Sequence, residues 1–152
     1  MKSTILLTLI LSTTAAAQSI DDQRLIKKNQ DAFDAAIKLV NEKCGTKLTA
    51  SYALRSERPN ATRPAGGGYG FCGEVLEGIS WACKDDIGRQ AVAKKVKDVR
   101  CTFAEGSSKK MSQATGSYRP ELSVTRGTLS AAYDWNTANV NVEVRDWLLT
   151  HR

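Results

Sequence analysis

Four cysteines constrain the fold of this 152-residue chain more than any other feature. They are even in number, and in an exported chain that indicates two disulfides. Zinc binding is the alternative, but the usual C-x-x-C pair is absent and the one histidine, His151, is the penultimate residue. We therefore predict no metal site and two disulfides formed by Cys44, Cys72, Cys83 and Cys101.

The spacing of the cysteines excludes one of their three possible pairings. Cys72 and Cys83 fall on one predicted helix, which places their Cα atoms roughly 16 Å apart at about 1.5 Å per residue. A disulfide requires less than about 7 Å, so these two residues do not pair with each other. Two arrangements remain: Cys44–Cys72 with Cys83–Cys101, or Cys44–Cys83 with Cys72–Cys101. We favour the first, because it ties each end of this helix to its neighbour in sequence.

The N-terminus, MKSTILLTLILSTTAAAQS, has the three parts of a secretory signal. Lys2 supplies the positive charge, residues 5–11 are a short apolar run, and Ala15-x-Ala17 is a cleavage site for a signal peptidase. The apolar run is shorter than the roughly 20 residues that cross a bilayer. We predict a signal peptide at 1–17, a single domain at 18–152, no membrane span, and a secreted or periplasmic location.

The charge of the chain favours anionic partners without specifying one. Lysine and arginine number 22 against 16 acidic residues, a formal net charge of +6. Basic and acidic residues are interleaved, as on ordinary soluble surfaces. Aromatic residues do not alternate with the basic ones as single-stranded nucleic acid binding requires, so we expect no specific nucleic acid. The predicted partner is an unknown protein or an anionic polymer.

Hydrophobic periodicity predicts an α+β domain. A helical pattern covers 21–44 and ends at Gly45, and two further helical patterns cover 72–83 and 85–97. Alternation predicts strands around 47–54 and 99–103, and a hairpin that turns at Arg126-Gly127. The C-terminal segment fits a strand or a helix, and we prefer the helix. The prediction is a small antiparallel sheet of about four strands, with helices packed on one face and two disulfides.

The segment GYGFCG, residues 68–73, has the spelling of a dinucleotide-binding loop. Such a loop follows a buried strand and is followed by an acidic residue about 20 positions later. Here a Pro/Gly-rich stretch precedes the segment, and the basic AVAKKVK follows at that distance. We predict no cofactor, and we expect the glycines to adopt positive φ angles where a loop becomes a helix.

Catalytic chemistry has little support in this sequence. A nucleophilic triad needs a positioned base, and His151 lies beside the C-terminus. Paired carboxylates remain, Glu74 with Glu77 on a helix and Glu121 with Asp134 on the hairpin, and such pairs serve glycoside hydrolases. Acids on amphipathic helices more often face solvent, so we predict no catalytic residue.

The candidate partner-binding residues lie on one helix and one loop. On the helix, Glu74, Glu77 and Trp81 lie opposite the cysteine stripe, and an outward Trp81 would contact a partner. The plainer interpretation is that Gly78 admits a second helix and Trp81 fills that interface. In the loop, the basic side chains would contact an anion. The candidates are Trp81, Glu74, Glu77, Arg55, Arg58 and Arg63.

Three functions agree with these features. We favour an exported, non-catalytic binding or inhibitor-type module that contacts its partner through loop 55–70 and Trp81. The first alternative is a small hydrolase that uses paired carboxylates. The second is a basic structural protein adsorbed on anionic envelope polymers.

Overall fold

A computed structural model gives the structure of the protein for residues 20–52, 68–104, 106–107, 110–111, 116–134 and 136–151. The predicted signal peptide lies outside these residues. The described residues form four helices and four strands. In chain order they are α1 (Ile20–Cys44), β1 (Thr49–Tyr52), α2 (Gly68–Ala82), α3 (Asp86–Lys95), β2 (Asp98–Phe103), β3 (Glu121–Thr125), β4 (Thr128–Tyr133) and α4 (Val140–Thr150).

The helices begin and end at residues that suit these positions. Gly45 follows α1 with a φ of +65°, which a residue without a Cβ adopts at low cost. The Asp85 side chain accepts a 2.8 Å hydrogen bond from the Gly88 backbone N–H and so caps the start of α3. The C-terminal segment is helical, as preferred from its sequence, and its buried stripe is Val140, Val144 and Leu148.

The sheet is mixed, with strand order β1-β2-β4-β3. The prediction of about four strands is confirmed, but antiparallel pairing holds only for β3 with β4. β1 pairs parallel to β2, and β2 pairs parallel to β4. The connection between the strands explains why β1 and β2 are parallel. Helices α2 and α3 carry the chain back between these two strands, and a crossover of this kind makes neighbouring strands parallel. Residue alternation within a strand carries no information about its direction.

The helices cover one face of the sheet, as predicted. Val99 and Cys101 of β2 are buried, as are Leu129, Ala131 and Tyr133 of β4. The residues between them in β2 and β4, such as Arg100 and Ser130, are exposed on the opposite face. This alternation is typical of a sheet with one solvated face.

One disulfide is formed by a residue of α2 and the other by the residue directly after it, and together they show that the favoured pairing was wrong. The bonds are Cys44–Cys83, with a Cα–Cα distance of 5.2 Å, and Cys72–Cys101, with 5.6 Å. The end of α1 lies against the end of α2, whereas the start of α2 lies on β2. The preference for neighbours in sequence failed because β1 and the segment after it separate α1 from the start of α2.

The glycines of GYGFCG also differ from the prediction. Helix α2 begins at Gly68, so the segment forms the first turns of a helix. Gly73 is helical, and a Cβ added there would meet nothing within 4 Å. The positive φ angle expected at these glycines is therefore wrong for Gly73, which lies in helical backbone.

Helix α2 is central to the core and packs closely on α4. A Cβ at Gly78 would lie 2.5 Å from the Asn141 backbone oxygen and 2.9 Å from Val144 Cβ, both in α4. Gly78 therefore permits a close approach of the two helices, as the plainer interpretation of this helix predicted. Among the described residues, no helix combines the length and apolar character that crossing a membrane requires.

Candidate functional site

Three of the predicted partner-binding residues, Glu74, Glu77 and Trp81, lie on α2 in the described part of the chain. Arg55, Arg58 and Arg63 lie outside the described residues. Trp81 is 37% exposed near the end of α2, so it does not fill a helix interface completely. Its role as a partner contact remains a prediction.

Glu74 and Glu77 both bind α4. Glu74 Oε2 accepts a hydrogen bond of 3.3 Å from the Val140 backbone N–H, at the start of α4, where Asn139 provides no side-chain cap. Glu77 Oε2 accepts one of 2.9 Å from Asn141 Nδ2. These two carboxylates therefore help to position α4 on α2.

Burial raises the pKa of Glu74 above its ordinary value. The hydrogen bond from Val140 opposes this effect, and the nearby negative charge of Glu77 adds to it. A raised carboxyl pKa is also typical of catalytic acids, but here the geometry gives Glu74 the role of a helix cap.

The second predicted carboxylate pair consists of one buried and one exposed residue. Asp134 is buried, and its Oδ1 accepts a 2.8 Å hydrogen bond from the Asn136 backbone N–H in the turn after β4. Glu121 is exposed at the start of β3. Asp134 therefore stabilises a turn.

A cavity of about 620 Å³ lies between the start of β3 and α4. We call it the edge groove. Its volume is within the range of about 300–1,000 Å³ that is usual for ligand sites. The side chains that line it are Ser107, Lys110, Arg119, Pro120, Glu121, Leu122, Glu143, Asp146, Trp147, Thr150 and His151.

One wall of the edge groove is β3, the last strand of the sheet, which pairs with β4 alone. The β3–β4 hairpin turns through two residues, Arg126 and Gly127, whose φ angles are +52° and +86°. Positive φ at both central residues identifies a type I′ turn, in which the flanking pair, here Thr125 and Thr128, exchanges two hydrogen bonds.

This turn determines which backbone groups of β3 point away from the sheet. Hydrogen-bonded and non-hydrogen-bonded pairs alternate along an antiparallel ladder. Since Thr125 bonds to β4, Ser123 and Glu121 do so as well, and the N–H and C=O groups of Leu122 and Val124 point to the open edge. The side chains of Leu122 and Val124 are partly buried against the core. The outer edge of β3 therefore offers unpaired backbone groups beside an apolar surface.

The other wall is the C-terminal part of α4, which carries an aromatic pair. The Trp147 and His151 rings are stacked with centroids 4.9 Å apart and an interplanar angle of 19°. His151 Nδ1 lies 3.1 Å from the Trp147 backbone oxygen and 3.2 Å from Thr150 Oγ1. These contacts hold the imidazole against the indole.

One end of the edge groove is charged. Arg119 Nε lies 3.2 Å from Glu143 Oε2, and this ion pair connects the segment before β3 to α4. Lys110 lines the same end and forms no ion pair with the described residues. The Arg119 backbone N–H donates a 2.8 Å hydrogen bond to the Lys110 carbonyl, which keeps the two basic residues adjacent.

Two kinds of reactive group are absent from the described residues. Within the described residues, no group of three or more metal-ligating side chains is close enough to hold an ion. All four cysteines are in disulfides, so no thiol is available as a nucleophile. Comparisons with protein families, with curated proteins and with solved structures found no match.

From the sequence, Glu121 and His151 were considered only as catalytic groups, and no residue of the edge groove was predicted to line a binding site. Two signals for it were present, the Arg126-Gly127 turn and the spacing of Trp147 and His151 one helical turn apart. The sequence did not indicate that β3 lies at the sheet edge, and without that fact the two signals do not converge.

Proposed function

We propose that the protein is an exported, non-catalytic binding module that takes up an extended segment of a partner polypeptide as an added strand on β3. The observation that carries this proposal is the open outer edge of β3 beside the edge groove. Strand addition uses backbone hydrogen bonds for affinity and pockets for alternate side chains for specificity.

The outer edge of β3 supplies the backbone groups of such a site, and the edge groove supplies the side-chain pocket. The outward N–H and C=O groups of Leu122 and Val124 would pair with the backbone of the partner. Alternate side chains of the added strand would enter the groove between Leu122 and Trp147, both of which line it.

The edge of β3 has few of the features that prevent strand pairing. Natural edge strands are protected by charged inward-facing residues, by proline within the strand or by bulges. In β3 the inward-facing residues are Leu122 and Val124, and its one neighbouring proline, Pro120, precedes the strand. The side chains on the inward side of this edge are therefore apolar and partly buried, and none of them is charged.

Export is supported by the leader-like sequence at 1–17 and by the two disulfides, which are typical of oxidising compartments. The hydrolase alternative has less support, because Glu74 and Glu77 bind α4. Adsorption on anionic polymers remains a prediction, and binding that weakens steeply with salt would identify it.

The test is peptide selection followed by a matched pair of variants. Peptides that bind the disulfide-intact protein are selected from a random library. Val124→Pro removes the outward N–H, whereas Val124→Ala retains it, and Val124 does not line the edge groove.

Val124→Pro should weaken a selected peptide by about tenfold or more, because one backbone acceptor of the peptide is left unpaired. Val124→Ala should weaken it by about threefold at most, because only apolar contact is lost. Equal binding to both variants, or a library that yields no binder, would overturn the proposed function. Urea denaturation of both variants confirms that each is folded.

A further inference from the structure

We infer that the edge groove recognises the C-terminus of its partner, with the terminal carboxylate bound at Lys110. This inference rests on the proposed function and adds to it the part of the partner that binds, its direction and its charge.

The first argument is that the edge groove is closed at one end. Tyr118, just before β3, forms a bridge with Thr137 on one side and with Met111 on the other. Thr137 follows β4, so it lies on the β4 side of Tyr118, and Met111 lies on the outer side. Lys110 and Met111 therefore occupy the edge position immediately ahead of β3. A strand added to β3 has to end where it reaches them.

The second argument concerns direction. A peptide antiparallel to β3 runs towards the start of β3, so its C-terminus meets Lys110. A parallel peptide would bring its N-terminal ammonium to the same place. Lys110 repels an ammonium and attracts a carboxylate, and charge complementarity therefore selects the antiparallel direction. Antiparallel pairs are also the more stable of the two per residue.

Two of the three acidic side chains that line the edge groove are bound to arginine side chains. Glu143 is bound to Arg119, and Asp146 is bound to Arg145 at 2.7 Å. Glu121 lines the edge groove as well, at an exposed position of β3 that alternates with the partly buried Leu122. Lys110, with no ion pair among the described residues, is left as the cation at the closed end.

A third observation points to a ligand at the same end. In the described part of the chain, Ser107 Oγ is a buried side-chain oxygen without a hydrogen-bond partner, and Ser107 lines the edge groove. Buried hydroxyl groups are normally hydrogen bonded, and an orphaned one requires an explanation. A terminal carboxylate beside Lys110 would provide the missing acceptor.

The experiment compares one selected peptide in two forms, with a free C-terminal carboxylate and with a C-terminal amide. The two forms are measured on the wild-type protein, on Lys110→Ala and on Lys28→Ala. Lys28 is an exposed residue of α1 and serves as the matched control. Val124→Pro is included to report on strand addition.

We expect the carboxylate form to bind the wild-type protein about tenfold more tightly than the amide, as for a charge-assisted contact. In Lys110→Ala the ratio should fall to about threefold or less, and in Lys28→Ala it should not change. Higher salt should reduce the ratio in the wild-type protein.

The outcomes separate the inference from the proposed function. Equal binding of the two forms, with both weakened by Val124→Pro, would overturn the inference and leave strand addition intact. Binding that Val124→Pro does not affect would overturn the proposed function and the inference with it. A dimer that Val124→Pro dissociates would assign the edge to a second copy of this chain and would also overturn the inference.

Discussion

The contact between α2 and α4 predicts opposite effects for the same substitution at two glycines of one helix. Alanine at Gly78 would place its Cβ 2.5 Å from the Asn141 backbone oxygen and 2.9 Å from Val144 Cβ. Alanine at Gly73 would meet nothing within 4 Å. Gly78→Ala therefore tests the helix contact, and Gly73→Ala is its matched control.

Two opposing terms determine the sign at Gly78. Alanine favours a helix over glycine by about 1 kcal/mol. Overpacking costs about 1–3 kcal/mol, and the upper part of that range applies because the nearest atom is backbone and α4 has to move. We expect Gly78→Ala to be less stable than the wild-type protein by about 1–2 kcal/mol. Gly73→Ala has only the favourable term and should be more stable by about 0.5–1 kcal/mol.

Urea denaturation followed by circular dichroism, without reductant, measures both effects. With a slope of about 1–3 kcal/mol per molar urea, the midpoint of Gly78→Ala should fall by about 0.3–2 M and that of Gly73→Ala should rise. A Gly78→Ala protein as stable as Gly73→Ala would refute the close approach of the two helices. Since α4 is a wall of the edge groove, Gly78→Ala should also weaken a selected peptide, and Gly73→Ala should not.

Two further predictions concern Glu74 and the disulfides. Burial raises the pKa of Glu74 above its ordinary 4.5, so the folded protein binds the carboxyl proton more tightly than the unfolded chain does. The free energy of unfolding therefore falls as pH rises from 4.5 through the raised pKa. Glu74→Gln should flatten the pH dependence of the urea midpoint in that interval, and an unchanged dependence would show that folding does not raise the pKa of this carboxyl. The double variant Cys44→Ser with Cys83→Ser opens a loop with a sequence separation of 39 and should lose about 4 kcal/mol on a chain-entropy argument. Peptide mapping of the wild-type protein should recover Cys72 joined to Cys101, and a Cys44–Cys72 peptide would contradict the structure.

The sequence predicted the elements well because each has a local signal. The apolar stripe of α1 ends at Gly45, and the two-residue turn at Arg126 and Gly127 defines the β3–β4 hairpin. Burial alternates along β2 and β4 as their sequences predict. These properties depend on neighbouring residues, so they can be derived without the tertiary structure.

The strand directions and the disulfide pairing required long-range information. The residues of β2 and β4 do not indicate that these strands lie side by side and parallel, because this arrangement depends on the position of the β3–β4 hairpin in the sheet. The pairing of Cys44 with Cys83 depends in turn on how α2 crosses the sheet. Periodicity did exclude the pairing of Cys72 with Cys83, and the observed pairing is one of the two that remained.

The candidate site was less predictable than the fold. Glu74 and Glu77 were predicted as partner contacts, and the structure adds that both bind α4, which the sequence pattern of α2 alone could not show. The edge groove combines residues from β3, α4 and the segment before β3. Its formation depends on β3 being the edge strand, and strand order is not encoded in any one of these segments.

Backbone amide exchange at β3, measured with and without a selected peptide, tests the central claim most directly. The claim is that a partner segment pairs with the outer edge of this strand. Bound peptide should slow exchange at the amides of Leu122 and Val124, while Ser123, already bonded to β4, should change little. Protection confined to other surfaces, such as the region around Trp81, with unchanged exchange at Leu122 and Val124, would contradict the account.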